Sequence, residues 1–113
     1  MHELSITQAI VSIVLRKALE ADAARITRVD LRIGQLAGII PECVELQFAL
    51  LSRGTIAEDA VLSFDTPPLT LKCRTCNATY TREDVREPCP CCGGAEIDII
   101  SGFELSVQSI EID

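Results

Sequence analysis

Two hydrophobic periods divide the first third of the chain. Between Leu4 and about Ala21, apolar residues recur at steps of three and four, which predicts an amphipathic helix with one face on the core. Ser5, with Gln8 three residues later, forms a capping-box pattern, so residues 1–3 are expected just outside this helix. The predicted apolar face consists of Ile6, Ala9, Ile10, Ile13, Val14 and Ala18.

The period then changes to two. From Ile26 to Gly34 apolar and charged residues alternate, which predicts a strand with one buried and one solvated face. Pro41 suits the first turn of a second helix, and Arg53 and Gly54 are typical of its end. A second strand is predicted at residues 60–65, and the strand–helix–strand order favours a right-handed crossover with parallel pairing.

The remaining strand patterns are short and surround a cysteine-rich stretch. They lie at residues 69–72, 79–81 and 97–100. The last strand is predicted at 103–112, and a change of phase in its apolar residues indicates a bulge at residues 108–109.

Five of the six cysteines fall between residues 73 and 92, in the segments Cys73-Arg74-Thr75-Cys76 and Cys89-Pro90-Cys91-Cys92. Two Cys-x-x-Cys pairs joined by a short hairpin supply the tetrahedron of sulfurs that zinc prefers. The second pair is ambiguous, because either of the last two cysteines fits with the first one.

The residues that follow each pair resolve the ambiguity. A metal knuckle often needs a positive φ after its second cysteine, which glycine adopts freely and asparagine tolerates. Asn77 follows the first pair, and Gly93 follows Cys92, so Cys91 is expected to be a spare thiol. The predicted zinc ligands are Cys73, Cys76, Cys89 and Cys92.

These elements predict an α+β fold, in which two helices pack on a roughly three-stranded mixed sheet with an inserted rubredoxin-like zinc-ribbon lobe. The expected domains are residues 1–66 with 102–113, and a zinc-binding domain at residues 67–101. Cys43 falls among apolar residues of the second helix and is predicted to be an inert core residue.

Two other uses of the cysteines stay open or are disfavoured. A disulfide framework requires an oxidising compartment, and the sequence shows no signal peptide, so a cytoplasmic thiol site is expected. Iron in the same four sulfurs, as in a rubredoxin-like electron carrier, stays open, because the segment Cys89-Pro90-Cys91-Cys92-Gly93 suits it and the spacing alone does not exclude it.

Composition and motifs exclude several classes of function. Seventeen acidic residues against ten basic ones, a net charge of -7 and the absence of Trp disfavour nucleic acid as a partner. No apolar run approaches the ~18 residues that span a membrane. His2 is the sole histidine, the four-cysteine zinc is coordinatively closed, and nucleotide-binding and nucleophile motifs are absent, so no enzyme is predicted.

The N-terminus offers a second metal-binding arrangement. The α-amine of Met1, the imidazole of His2 and the backbone nitrogens of His2 and Glu3 lie close together along the chain. Such a nitrogen-rich set favours square-planar or tetragonal Ni(II) or Cu(II). The alternative is a frayed terminal histidine with no function, as most such residues are.

These features together resemble the HypA/HybF family of hydrogenase maturation nickel chaperones. The resemblance rests on the segments Met1–Ser5 and Ile33–Leu36 and on the four cysteines with Pro90 and Gly93. It implies delivery of nickel to the precursor of the [NiFe]-hydrogenase large subunit, together with a HypB-type GTPase, and in some organisms to urease. It also implies a monomer or a homodimer.

Carried over to this sequence, the resemblance implies His2, Met1 through its amine and Glu3 through its backbone nitrogen as nickel ligands. Some family members add an acidic ligand where this chain has Ile40, and the nearest carboxylate here is Glu42. The competing hypothesis is a zinc-ribbon interaction module with no role in nickel transfer.

Overall fold

The computed structural model describes residues 3–84 and 86–113. The elements are α1 (Glu3–Glu20), β1 (Ile26–Ile33), α2 (Pro41–Leu51), β2 (Val61–Asp65), β3 (Leu69–Cys73), β4 (Thr79–Arg82), β5 (Ile97–Ser101) and β6 (Leu105–Ile112). The strands form two three-stranded sheets, in the orders β2-β1-β6 and β4-β3-β5. The α+β class and the predicted sequence of elements are confirmed.

The chain divides into two compact units. The helical unit comprises Met1–Arg32, Gly38–Asp65 and Ser106–Asp113. The cysteine unit comprises Ile33–Ala37 and Thr66–Leu105, and it contains the second sheet and the cysteine-rich stretch. That the first unit binds nickel and the second binds zinc stays a prediction.

The first sheet of the helical unit is mixed, as predicted. β1 pairs in parallel with β2, from Arg28 opposite Val61 to Arg32 opposite Asp65. On its other side β1 meets β6 in the opposite direction, because Asp30 contacts Ser109 whereas Thr27 contacts Glu111. The central position of β1 agrees with its alternating pattern from Val29 to Ile33. Its buried residues Ile26, Val29 and Leu31 pack in the core cluster with both helices.

Both helices contribute to the core of the helical unit. Phe48 and Val44 of α2 pack with one face of α1 and with the inward residues of β1. Val107 and Ile110 of β6 both contact this cluster although they stand at odd and even positions, as expected of a strand that changes phase between them. The α1 residues in the cluster are Ile10, Val11, Val14 and Ala18.

The prediction for the start of α1 was wrong. The helix already includes Glu3, so Ser5 lies within its first turn and does not cap it. The buried stripe also runs through Thr7 and Val11, whereas Ala9 is exposed. Thr7 tolerates burial because its hydroxyl donates a hydrogen bond to the Glu3 carbonyl at 2.5 Å.

The last strand begins later than predicted, at Leu105 instead of residue 103. The segment before it belongs to the cysteine unit, where the N–H of Gly34 donates to the Glu104 carbonyl and that of Leu36 to the Gly102 carbonyl, both at 2.7 Å. A Cβ at Gly34 would lie 2.3 Å from the Gly102 carbonyl oxygen, so this approach requires glycine.

Cys43 is half-buried, so its predicted place inside the core is corrected to the border of the core. It stands one residue before Val44, which is fully buried, and the helical rotation of about 100° per residue turns its side chain partly outward. Among the described residues, no helix combines the length and the apolarity that crossing a bilayer requires.

Candidate metal sites

The folded chain brings four thiols together in the cysteine unit. The Sγ atoms of Cys73, Cys76, Cys89 and Cys92 all lie within 4.8 Å of one another. The Sγ atoms of Cys73 and Cys92 are 3.5 Å apart, and those of Cys76 and Cys89 are 3.6 Å apart. A tetrahedral ion with bonds of about 2.3 Å places its sulfurs about 3.8 Å apart, so this group fits one zinc ion.

The two cysteine turns have the same backbone construction. The N–H of Asn77 donates to the Cys73 carbonyl at 2.9 Å, and the N–H of Gly93 donates to the Cys89 carbonyl at the same distance. Asn77 has φ 62° and Gly93 has φ 73°, which confirms the positive φ predicted after each pair. The sequence therefore aims both sulfurs of a turn toward one point through local backbone geometry.

A second shared bond closes each turn onto the strand or loop that follows. The N–H of Cys73 donates to the Ala78 carbonyl at 2.9 Å, and that of Cys89 to the Gly94 carbonyl at 3.0 Å. In the second turn, backbone N–H groups also point at sulfur: Cys91 donates to Cys89 Sγ and Gly94 to Cys92 Sγ, each at 3.4 Å. Donors aimed at sulfur favour the thiolate form that binds metal.

The four thiols do not ionise alike. The Cys92 N–H, supported by the Cys91 N–H and the Cys76 side chain and opposed by burial, lowers the pKa of Cys89 to about 6. The Ala78 N–H lowers the pKa of Cys76, but burial and the neighbouring cysteines, Cys89 first, raise it overall to about 12. Like charges crowded at one point oppose further ionisation, and a divalent cation relieves that repulsion.

Cys43 and Cys91 do not belong to this group of four. Cys91 is exposed, and its sulfur is not among the four that converge. Within the group, Cys73 and Cys89 are buried, whereas Cys76 and Cys92 are exposed. Four thiolates occupy every position of a tetrahedral ion, so the group is suited to a structural role and offers no open position for a substrate.

The predicted nickel ligands are described only in part. Met1 and His2 lie outside the described residues, while Glu3 opens α1 and is 7% exposed. Its Oε2 accepts a hydrogen bond from the N–H of Ile40 at 3.4 Å. Ile40 is the N-cap residue of α2 and has no side-chain cap bond of its own.

This contact gives Glu3 a role that sequence reasoning missed. The prediction used its backbone nitrogen only, whereas the structure places its carboxylate at the positive end of α2. Thr7, one turn further along α1, extends the link through a 3.1 Å contact of its hydroxyl with Gln47 Oε1 of α2. The sequence does show that α2 starts after Ile40, a residue that cannot cap a helix with its side chain. It does not show that Glu3 lies beside this helix start, because that depends on the long-range packing of α1 against α2.

Two carboxylates, those of Glu42 and Glu3, lie near the start of α2. Glu42 is exposed on the first turn of α2. Ile40, which the resemblance aligned with an acidic ligand, is here the backbone partner of the Glu3 carboxylate. Of these two carboxylates, therefore, only that of Glu3 is bonded to this loop.

Comparison with known proteins matches nearly the whole chain to one protein family. The family model described as "Hydrogenase/urease nickel incorporation, metallochaperone, hypA" matches residues 1–112. A "Hydrogenase maturation factor HypA" of Dehalococcoides mccartyi strain CBDB1 is 40% identical over 113 residues, which cover 100% of this chain and 95% of the relative. The protein of the same name from Geobacter sulfurreducens is 38% identical, with 100% of both chains covered.

Solved structures show the same fold. The solution structure of the Ni metallochaperone HypA from Helicobacter pylori superposes with a TM-score of 0.69 and 22% identity, covering 99% of this chain and 97% of that one. A second solution structure of a HypA protein gives a TM-score of 0.73 and 23% identity, with 99% and 96% covered. At these identities the superpositions establish the architecture.

Proposed function

This chain belongs to the HypA family of nickel-incorporating metallochaperones, and from that membership we propose that it captures Ni(II) at its N-terminus and delivers it for [NiFe]-hydrogenase maturation. The proposed ligands are the imidazole of His2, the α-amine of Met1 and the backbone nitrogens of His2 and Glu3. Nickel is cargo in this proposal, so the site must release the ion as well as bind it. Family membership is the observation that carries the proposal.

The chemistry of the terminus supports nickel over zinc. Nitrogen donors in a tetragonal or planar arrangement suit Ni(II) and Cu(II), whereas the four sulfurs of the cysteine unit suit zinc, and family membership selects nickel from the first two. The Glu3 carboxylate, bonded to the Ile40 N–H, would hold the start of α1 in place next to the ligands.

The cysteine unit would hold a structural zinc through Cys73, Cys76, Cys89 and Cys92. Zinc would supply a cross-link between the two cysteine turns, with no open coordination position. The backbone prepares the site for the ion: the two matched turns direct the sulfurs toward one point, and backbone N–H groups stabilise the negative charge of the sulfurs. Its relatives bear the names of maturation factors and metallochaperones, which describe metal delivery and not catalysis.

We place this delivery in the cytoplasm, where reduced thiols persist. The recipient would be the precursor of the hydrogenase large subunit, and the cooperating protein a HypB-type GTPase. A homodimer is compatible with the proposal, because each chain carries a complete ligand set of its own.

An N-terminal extension is expected to weaken nickel binding sharply. Adding Gly-Ser before Met1 converts its amine into an amide and moves the free amine away from His2. Isothermal titration of the extended and the unextended chain, both loaded with zinc, would measure the loss, and a C-terminal Gly-Ser extension is the matched control. Equal nickel affinity in all three proteins would remove Met1 from the ligand set.

Nickel affinity is expected to fall as the pH is lowered from 8 to 6. Protons compete with the ion for the same nitrogen lone pairs, and terminal amines and imidazoles ordinarily titrate near pH 8 and 6.5, about where the loss should occur. Each proton displaced contributes up to about tenfold per pH unit. Competition titrations at pH 6, 7 and 8 test this slope, and an affinity independent of pH would argue against nitrogen ligands.

A further inference from the structure

We propose that the groove between α2 and β2 is a docking site for an extended, basic segment of a partner protein, which adds as a strand to the free edge of β2. The groove has a volume of about 460 Å³ and lies entirely within the helical unit. Phe48 and Leu62 lie in its floor, and charged residues of α2 and of the loop before β2 form its rim.

The first observation is the free edge of β2. This strand ends the order β2-β1-β6, so within the part of the chain that the structure describes it pairs with β1 on one side only. The unpaired N–H and C=O groups of an edge strand are a template for another chain, and proteins commonly guard them with lysine or proline. The sequence Val61–Asp65 contains neither, and Val61 is 64% exposed.

The second observation is the helix side of the groove. Glu45, Phe48 and Ala49 stand three and four residues apart, so they share one side of α2, and all three line the groove. Ala49 is small and exposed, so this side leaves room for the apolar side chains of an added strand.

The third observation fixes the charge of the occupant. The rim carries three acidic residues, Glu45, Glu58 and Asp59, against the single cation Arg53. A segment that alternates apolar residues with lysine or arginine complements both the groove and its rim. A second copy of this chain is a poor occupant, because each copy has a net charge of -7 and would bring further negative charge to an acidic rim.

The test uses the zinc-loaded full chain without nickel, so its result is independent of the proposed N-terminal site. The probes are two acetylated and amidated seven-residue peptides, Lys-Val-Lys-Val-Lys-Val-Lys and its analogue with Glu for Lys, followed by nuclear magnetic resonance of the labelled protein. The basic peptide is expected to shift the amide signals of Val61–Asp65 and of the groove side of α2. It should also protect the outward β2 amides from exchange.

Two substitutions and one control locate the effect. Glu45→Lys reverses a charge on the rim and should weaken binding by roughly threefold to tenfold. Ala49→Arg fills the groove and should abolish the shifts. Glu20→Lys makes the same charge change at an exposed position at the end of α1 and should leave binding unchanged.

Three outcomes would overturn the proposal. The first is that millimolar basic peptide leaves the signals of β2 and α2 unmoved. The second is that the acidic peptide binds equally well, which would indicate unspecific apolar contact. The third is that sedimentation shows a dimer that Ala49→Arg dissociates, which would assign the groove to a second copy of the chain.

Discussion

A His2→Ala variant is expected to lose specific nickel binding while keeping its zinc and its fold. His2 is the sole histidine of the chain, so its removal leaves no imidazole to replace it. Changes of residues that merely support a metal ligand cost about 10- to 100-fold in affinity, and loss of a direct ligand should exceed about 100-fold. Among the described residues, the α1 side chains that pack in or against the hydrophobic core of the helical unit begin at Ile6, so the substitution leaves this cluster intact.

Isothermal titration and equilibrium dialysis of untagged protein would measure this loss. Glu42→Ala is the matched control, because it removes an exposed carboxylate at the start of α2 and should change nickel affinity little. Its result also decides whether Glu42 is a further nickel ligand. Retention of one pH-sensitive equivalent of nickel by His2→Ala would refute the N-terminal site.

A Cys89→Ser variant is expected to lose zinc and to unfold the cysteine unit, whereas Cys91→Ser should keep both. The two positions are two residues apart in the same turn, so they form a matched pair. Cys89 is buried among the converging sulfurs, and Cys91 is exposed outside them. Structural zinc contributes an apparent 10–16 kcal/mol, roughly, to the folding of small zinc peptides at neutral pH.

The size of the effect follows from the small core of this unit. Among its described residues, the buried apolar side chains are Ile33, Leu69 and Leu71, together with the zinc-site cysteines Cys73 and Cys89. A three-stranded sheet with so few buried side chains depends on a cross-link, unlike the helical unit with its larger cluster. Zinc content and amide spectra of both variants provide the readout. If Cys91→Ser lost zinc and Cys89→Ser retained it, Cys91 would be the zinc ligand and Cys89 the spare thiol.

Local patterns predicted most of the fold. The alternation in β1, Pro41 at the start of α2 and the positive φ of Asn77 and Gly93 each depend on a few neighbouring residues, and each is found in the structure. The convergence of the four sulfurs followed from the same local turns. Where short-range geometry decides a feature, the sequence alone was sufficient.

The errors arose where distant segments decide. The start of α1 depends on Thr7 and on the bond between the Glu3 carboxylate and the Ile40 N–H, 37 positions away. The start of β6 depends on residues 102 and 104 pairing with the Gly34–Leu36 segment. Neither contact leaves a periodic signal, because a single hydrogen bond between remote residues does not alter the hydrophobic pattern.

Metal analysis of the untagged chain, before and after addition of nickel, tests the central claim most directly. The account predicts one zinc per chain as purified, and one zinc plus one nickel after equilibration and removal of excess ions. The two sites are then distinct, with sulfur holding zinc and the N-terminus holding nickel. Iron with strong visible absorption in the purified protein would instead indicate an electron carrier. Nickel that displaces zinc, or fails to bind, would contradict the account.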